Sequence, residues 1–138
     1  MPVLSVSRVG RRTLVVFAVL ALAAVAGIHA SARAQARHDF TVIADQFAFQ
    51  VVGSNKPEIR VALGDDVRIT FDARDIPHSF TTVDDPHYRI DRRAEPGRPV
   101  TFEFRADQAG TVKVRCTLAA NSKCRQMQLN LIVERKGQ

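Results

Sequence analysis

The chain has 138 residues, 46% of them hydrophobic, and carries a formal net charge of +6. Residues 1–34 contain four of the 20 basic side chains and none of the 14 acidic ones, so the rest of the chain carries only +2. Its basic residues are scattered over 37–136, which argues against nucleic-acid binding. No Gly-x-Ser-x-Gly, His-Glu-x-x-His or glycine-rich phosphate motif is present, which argues against the common hydrolase sites.

The N-terminus has the pattern of a secretory signal peptide. Arg11 and Arg12 belong to a basic segment, residues 13–28 are apolar, and small residues precede a cleavage site after Ala34. We therefore predict a signal peptide over 1–34 and a periplasmic location for the rest, with Sec and twin-arginine export both open. The alternative is an uncleaved anchor that holds the protein on the outer face of the cytoplasmic membrane, although a membrane span needs about 20 apolar residues.

After a flexible lead-in predicted for residues 35–39, the chain has the pattern of short strands separated by turns. Apolar and polar residues alternate along several segments, as they do in strands with one buried face. The spacing of these segments predicts one all-β domain over 40–136, an antiparallel β-sandwich or barrel. Residues 84–99 are rich in proline and charge and are predicted to form a long loop. The predicted strands are 40–43, 47–52, 58–63, 67–71, 79–83, 100–104, 111–116 and 128–133.

Two cysteines and one methionine are the chemically distinctive residues of this domain. Cys116, Cys124 and Met127 fall within twelve residues, and the only other methionine is the initiator. Thiolate and thioether sulfurs select copper, especially Cu(I), over hard cations. His78 follows Pro77 at the start of a predicted strand and supplies an imidazole. If the strands that carry His78 and Cys116 are neighbours, a soft metal site is expected at one end of the sandwich.

Three segments carry a family resemblance: 64–71, 75–80 and 109–116. They resemble a cupredoxin, in particular the copper-binding domain of cytochrome c oxidase subunit II, and the resemblance extends over about residues 40–135. It implies a cupredoxin-like Greek-key β-sandwich of seven to eight strands, a bound copper ion, and electron transfer with a redox partner protein.

The ligand loop departs from the oxidase pattern at two positions. In the oxidase domain a cysteine is followed by a second cysteine four residues later, a histidine at eight and a methionine at eleven. Cys116 and Met127 match the first and last of these, but Ala120 stands at the second-cysteine position and Cys124 at the histidine position. Losing the bridging thiolate argues against a dinuclear site. The resemblance therefore implies one mononuclear copper site made of His78, Cys116, Cys124 and Met127.

Two alternatives remain open at this stage. Two thiolates favour Cu(I), which is also consistent with a periplasmic protein that stores copper or delivers it to a copper-accepting protein. An oxidising compartment also permits a metal-free domain with a Cys116–Cys124 disulfide. An enzyme is not expected, because four protein ligands leave no open position for a substrate. His87 is expected to face solvent near carboxylates, and His38 to lie in the lead-in.

Overall fold

A computed structural model describes residues 35–118 and 122–137. These residues form nine β-strands and one short 3-10 turn, which confirms the all-β class. Within these two ranges no helix is long and apolar enough to cross a membrane. The predicted signal peptide over 1–34 and Ala120 lie outside the described residues. The strands are Arg37–Asp45 (β1), Ala48–Val51 (β2), Glu58–Ala62 (β3), Asp66–Ala73 (β4), His78–Val83 (β5), Asp91–Ala94 (β6), Val100–Arg105 (β7), Gly110–Arg115 (β8) and Gln128–Glu134 (β9).

The strands form two sheets, with the orders β2-β1-β4-β7 and β3-β9-β8-β5-β6. Consecutive strands often belong to different sheets, so the chain crosses repeatedly from one sheet to the other. β1 pairs with β4 in parallel, and so does β3 with β9. The prediction of a purely antiparallel arrangement is wrong at these two pairs. Alternation along one strand reports which face is buried, and it does not report the direction of the neighbouring strand.

Two segments that were predicted to be irregular are strands. Residues 91–94, expected in the long charged loop, form the edge strand β6 by pairing with β5. Residues 37–39, expected in the flexible lead-in, form the start of β1 and pair with residues 66–68 of β4. Both segments are mainly polar, so no apolar alternation marks them in the sequence. Backbone pairing with a neighbour, rather than burial of their side chains, makes them strands.

The hydrophobic core lies between the two sheets and is continuous across them. β4 shows the alternation expected of a half-buried strand, with Ile69 and Phe71 fully buried. Phe71 of one sheet meets Phe80 of the other with ring centroids 5.9 Å apart, in an edge-on arrangement that aromatic pairs favour. Phe80 also contacts Phe102 at 5.3 Å. These rings tie β5, the strand that begins at His78, to the opposite sheet.

The five-stranded sheet brings the start of β5 to the end of β8. The two strands are antiparallel, and their register pairs Thr81 with Arg115. His78 and Cys116 therefore lie at the same end of the sheet. On its other side β5 pairs with β6, with His78 opposite Ala94. The neighbour relation on which the predicted metal site depends is present.

A buried carboxylate ties β1 to the C-terminal segment at the opposite end of the sandwich. Asp65 is only 2% exposed, and it accepts hydrogen bonds from the Ala62 N–H at 3.0 Å and Lys136 Nζ at 3.0 Å. His38 Nε2 lies 2.9 Å from Asp65 Oδ2, the oxygen that also accepts the Ala62 N–H. Burial raises the pKa of Asp65, but its hydrogen bonds with Lys136, Ala62 and His38 outweigh burial and keep the pKa below its usual value. The carboxylate is therefore ionised near neutral pH.

We expect Asp65→Asn to lower the free energy of unfolding by about 2 kcal/mol at pH 7, because hydrogen bonds to a charged group are stronger than neutral ones. The native-state pKa of Asp65 is lowered, so this stability is present above the unfolded-state pKa of about 3.9 and is lost as the pH falls through the native-state value. Urea unfolding at pH 7 and at pH 3 measures both effects.

The exposed neighbour Asp66 provides the control. Asp66→Asn should change the free energy of unfolding by less than about 0.5 kcal/mol, as surface substitutions usually do. Equal losses in the two variants, or a loss at Asp65 that does not shrink in acid, would contradict the assignment.

Candidate metal centre

Three of the predicted ligands meet where β5 begins and β8 ends. His78, Cys116 and Cys124 each offer one ligand atom, and these atoms all lie within 4.8 Å of one another. The first two residues are fully buried, and Cys124 and Met127 are each 2% exposed. Two ligands about 2.2 Å from a shared ion are roughly 3.6 Å apart in a tetrahedral arrangement. The cluster is therefore close to the dimensions of a metal site.

Cys116 follows β8 directly, and backbone groups surround its sulfur. The Ser79 N–H donates a hydrogen bond to Cys116 Sγ at 3.5 Å. Burial raises the pKa of the Cys116 thiol, but the N–H groups of Ser79 and Leu118, together with Cys124 and His78, outweigh burial and lower the pKa below its ordinary value. The surroundings thus favour a thiolate at Cys116, which is the form of cysteine that binds metals.

Hydroxyl groups hold the segment after Cys116 against β5. Ser79 Oγ accepts the Thr117 N–H at 2.8 Å, although Thr117 lies beyond the last paired residue of β8. The Thr81 hydroxyl oxygen lies 3.1 Å from Ser79 Oγ and 2.8 Å from Asp91 Oδ1. These contacts extend the connection between β5 and β8 up to Cys116 and restrict where its sulfur can lie.

Cys124 lies in the 3-10 turn Cys124–Gln126, which precedes β9. The Met127 N–H donates to the Cys124 carbonyl at 3.0 Å, and the structure places Met127 near the other three residues. Burial and the adjacent Cys116 raise the pKa of Cys124 to about 12. Cys124 is therefore a neutral thiol near neutral pH. Both cysteines are free, so the structure does not contain the disulfide of the alternative prediction.

Asp75 orients the imidazole of His78. Asp75 Oδ1 lies 2.8 Å from His78 Nε2, and Cys124 Sγ lies 3.5 Å from Nδ1. Burial raises the pKa of Asp75, but hydrogen bonds from His78 and from the N–H groups of Ile76 and Gln46 outweigh burial and lower it. An ionised carboxylate can only accept, so Nε2 carries a proton, and Nδ1 is the ring nitrogen that faces Cys124.

Asp75 and Phe47 are site residues that sequence reasoning missed. Asp75 Oδ2 also accepts the Gln46 N–H at 3.0 Å, so one carboxylate connects His78 to the turn between β1 and β2. The Phe47 ring in that turn lies edge-on to the His78 ring, with centroids 6.3 Å apart. The spacing of an aspartate three residues before a candidate ligand histidine could have indicated Asp75. Phe47 carries no such signal, because its contact with His78 depends on the fold.

The two other histidines that the structure describes lie away from the cluster. His38 pairs with Asp65 at the opposite end of the sandwich. His87 Nε2 lies 2.6 Å from Asp107 Oδ1, and both side chains are substantially exposed. His87 therefore matches the expectation of a solvent-facing histidine near carboxylates, and His38 belongs to a strand.

The donor set suits a soft metal ion. Two sulfurs and one imidazole nitrogen converge, a thioether lies nearby, and no carboxylate of the described chain joins them. Asp75, the nearest acidic group in the network, is held by His78 and Gln46. Hard cations such as Mg²⁺ and Ca²⁺ need oxygen ligands that this cluster lacks, whereas thiolate and imidazole suit the softer transition metals.

Comparisons with known proteins agree with the resemblance found in the sequence. No protein-family model matches the chain. Cytochrome c oxidase subunit 2 of Thermostichus vulcanus is 36% identical over 70 residues, which are 51% of this chain and 20% of that protein. The periplasmic domain of cytochrome oxidase subunit II of Bradyrhizobium japonicum has a TM-score of 0.59 at 15% identity, covering 71% of this chain and 84% of that one. Auracyanin A, a blue copper protein of Chloroflexus aurantiacus, has a TM-score of 0.54 at 19% identity, covering 71% and 99%.

The comparisons confirm the cupredoxin-like β-sandwich and the similarity to subunit II. The two solved structures are less than 25% identical to the chain, so their likeness concerns the fold. The matched segment spans about one fifth of the length of the curated relative.

We expect His78 to carry its proton on Nε2 in the wild type, and Asp75→Asn to produce a mixture of the two neutral tautomers. The reason is that an amide can either accept from Nε2–H or donate to a bare Nε2, whereas a carboxylate only accepts. Long-range proton–nitrogen NMR correlations of the imidazole report the tautomer directly.

Asp72→Asn is the matched control. Asp72 lies near the C-terminal end of β4, three residues before Asp75, but its carboxylate pairs with Arg74. It should leave the His78 spectrum unchanged. A wild-type His78 with its proton on Nδ1 would show that Asp75 does not orient the ring.

Proposed function

We propose that the chain is an exported, mononuclear copper-binding protein that acts in electron transfer. The observation that carries the proposal is the buried cluster of His78, Cys116 and Cys124, whose ligand atoms lie within 4.8 Å of one another, with Met127 beside it. Thiolate, imidazole and a weak thioether form the donor set of copper electron-transfer sites. A cupredoxin-like sandwich supplies the rigid support that such a set requires.

Each ligand has a separate role in this proposal. Cys116 is the principal thiolate, His78 binds through Nδ1, Cys124 takes the position of a second strong ligand, and Met127 is the weak axial ligand. Copper held there would supply one-electron chemistry by alternating between Cu(I) and Cu(II). A second thiolate in place of an imidazole would stabilise Cu(II) relative to Cu(I). We therefore expect a lower reduction potential than that of a copper site with two histidines.

The surrounding residues keep the geometry constant. Asp75 fixes the ring of His78, and Ser79 fixes the sulfur of Cys116 through its N–H group. The cluster is packed within the apolar core next to Phe80, which is fully buried, so bulk water is excluded. Preorganised ligands in a dry site change little between oxidation states, which favours fast electron transfer.

The proposed location and partners follow from the same relatives. The solved subunit II domain is a periplasmic one, and we propose an exported, periplasmic location for this chain with a redox partner protein. We propose no catalytic activity for this domain, because four protein ligands leave no open position for a substrate.

Periplasmic Cu(I) storage or delivery to a copper-accepting protein is the second candidate. It is favoured by Cys124, since two sulfurs, an imidazole and a thioether form a strong set for Cu(I). Buried ligands also slow the release of an ion. The two candidates differ in the stable oxidation state, which spectroscopy distinguishes.

Reduced protein loaded with copper should bind one ion and show intense thiolate-to-copper absorption in the visible range once oxidised. Cys124→Ser should weaken copper binding by more than about 100-fold, since even the loss of an outer-shell partner costs about 10–100-fold. Met127→Leu conserves volume and should retain copper with an altered spectrum. Copper content by elemental analysis and absorption spectra check all three proteins.

The outcomes separate the candidates. A colourless Cu(I) form that resists oxidation favours storage or delivery over electron transfer. Unchanged copper content and spectrum in Cys124→Ser would remove Cys124 from the ligand set, and the proposed site would be wrong.

Metal binding should release at least one proton at pH 7, because the raised pKa of Cys124 keeps it a thiol and a ligand must be a thiolate. Around pH 7 the apparent affinity should therefore increase at least about tenfold per pH unit. Titration of weakly buffered protein with Ag(I), a redox-inert substitute for Cu(I), measures the released protons. Cys124→Ser should release about one fewer, and equal release from both proteins would argue against ligation by Cys124.

A further inference from the structure

The turn between β1 and β2 has an unusual backbone conformation beside the metal centre. Its two central residues, Gln46 and Phe47, have φ angles of +48° and +61°. Left-handed conformations at both central positions are typical of the tight hairpin turn for which Asn-Gly is the preferred sequence. A bulky aromatic residue with positive φ is an outlier, and such outliers concentrate at functional sites. The positive φ of this position is thus unfavourable for an aromatic side chain such as that of Phe47.

The Phe47 ring has contacts that connect three elements. Its edge-on partner is His78, at 6.3 Å between centroids. Lys123 Nζ, from the loop that carries Cys124, lies 5.6 Å from the ring centroid in cation–π geometry. Phe47 itself is only partly buried. The ring therefore stands between solvent and the His78–Cys124 side of the cluster.

Two other described walls of the cluster are hydrogen-bonded β-structure, and the wall that carries Cys124 is the 3-10 turn before β9, closed by the Met127 N–H bond to the Cys124 carbonyl. β5 is paired with β6 on one side and with β8 on the other, and hydroxyl contacts of Ser79 extend the second pairing to Thr117. Opening either wall would break a sheet. On the hairpin side the described contacts are ring contacts and the single hydrogen bond from the Gln46 N–H to Asp75. Breaking these contacts at the tip of the turn leaves the pairing of β1 with β2 and β4 in place.

We propose that Phe47 is the gate of the metal centre, and that outward movement of the β1–β2 turn admits ions and small reagents to Cys116 and Cys124. The inference rests on the proposed function only for the identity of the ion. Lys123 holds the gate closed by attracting the ring, and Asp75 holds it through the turn. The gate makes Phe47 a determinant of the rate of metal exchange, rather than of metal affinity.

The test is the rate at which iodoacetamide alkylates the two thiols in the reduced, metal-free protein, which reports access without copper. Phe47→Ala should react about tenfold faster than wild type, the factor that the loss of two ring contacts of ordinary strength implies. Lys123→Gln, a change at an exposed position, should react about threefold faster. Phe47→Tyr keeps the ring and should react at the wild-type rate.

Phe40→Ala is the matched control, because Phe40 is a partly buried phenylalanine near the other end of β1, where its ring stacks on His38. Its alkylation rate should stay within about twofold of wild type, as its contacts lie away from the cluster. Equal acceleration in Phe40→Ala and Phe47→Ala would mean that the thiols react through general destabilisation, and the gate would be wrong. Unchanged rates in both Phe47→Ala and Lys123→Gln would overturn it as well.

Loading the same proteins with Ag(I) and removing the ion with a chelator separates this inference from the proposed function. Faster release from Phe47→Ala at unchanged stoichiometry supports the gate. If the protein binds copper as proposed but wild type and Phe47→Ala release the metal equally fast, the gate alone is refuted. Protein whose thiol rates differ as expected but which binds no copper refutes the proposed function alone.

Discussion

The antiparallel pairing of β5 with β8 is the constraint on which the candidate metal centre depends. It brings together two residues, His78 and Cys116, that are far apart in the chain, and it does so at the ends of strands, where loops can complete the cluster. The same pairing directs the Ser79 N–H at the sulfur of Cys116. A shift of one residue in this register would turn His78 to the outer face of the sheet, since side chains alternate along a strand.

The cluster buries several ionisable side chains, and hydrogen bonds compensate for the loss of water around them. Ionised groups are destabilised in an apolar interior unless hydrogen bonds or opposite charges compensate. Here the environments of the two cysteines separate their pKa values, so the thiolate form is favoured at only one of them, and backbone N–H groups stabilise it. Asp75 stays charged because it receives hydrogen bonds from His78, Gln46 and Ile76. Across the described residues, no buried side-chain nitrogen or oxygen lacks a hydrogen-bond partner.

Most of the fold and the ligand candidates could be predicted from the sequence, because both depend on local patterns. Alternation together with the placement of turn residues predicted eight of the strands, and the chemistry of sulfur and imidazole singled out His78 and the Cys116–Met127 loop. The missed features depend on partners distant in sequence: the edge strand β6, the parallel direction of two pairs, and the role of Phe47. Asp75 lies between these cases, since its spacing from His78 is local but its bond to the hairpin turn is not. The bound ion itself cannot be predicted from geometry alone, because several soft metals share this donor set.

The neutral thiol of Cys124 has a consequence for the order of assembly. A protonated cysteine behaves as a small apolar side chain, and His78 has its hydrogen-bond partner within the chain, so neither residue needs an ion in order to be buried. The core between the two sheets likewise consists of apolar side chains that no metal holds in place. Zinc fingers, by contrast, remain unfolded until their ion arrives. Under the proposed function, the chain can therefore fold first and bind its copper afterwards, so that the supply of metal would limit how much protein is loaded without limiting how much is folded.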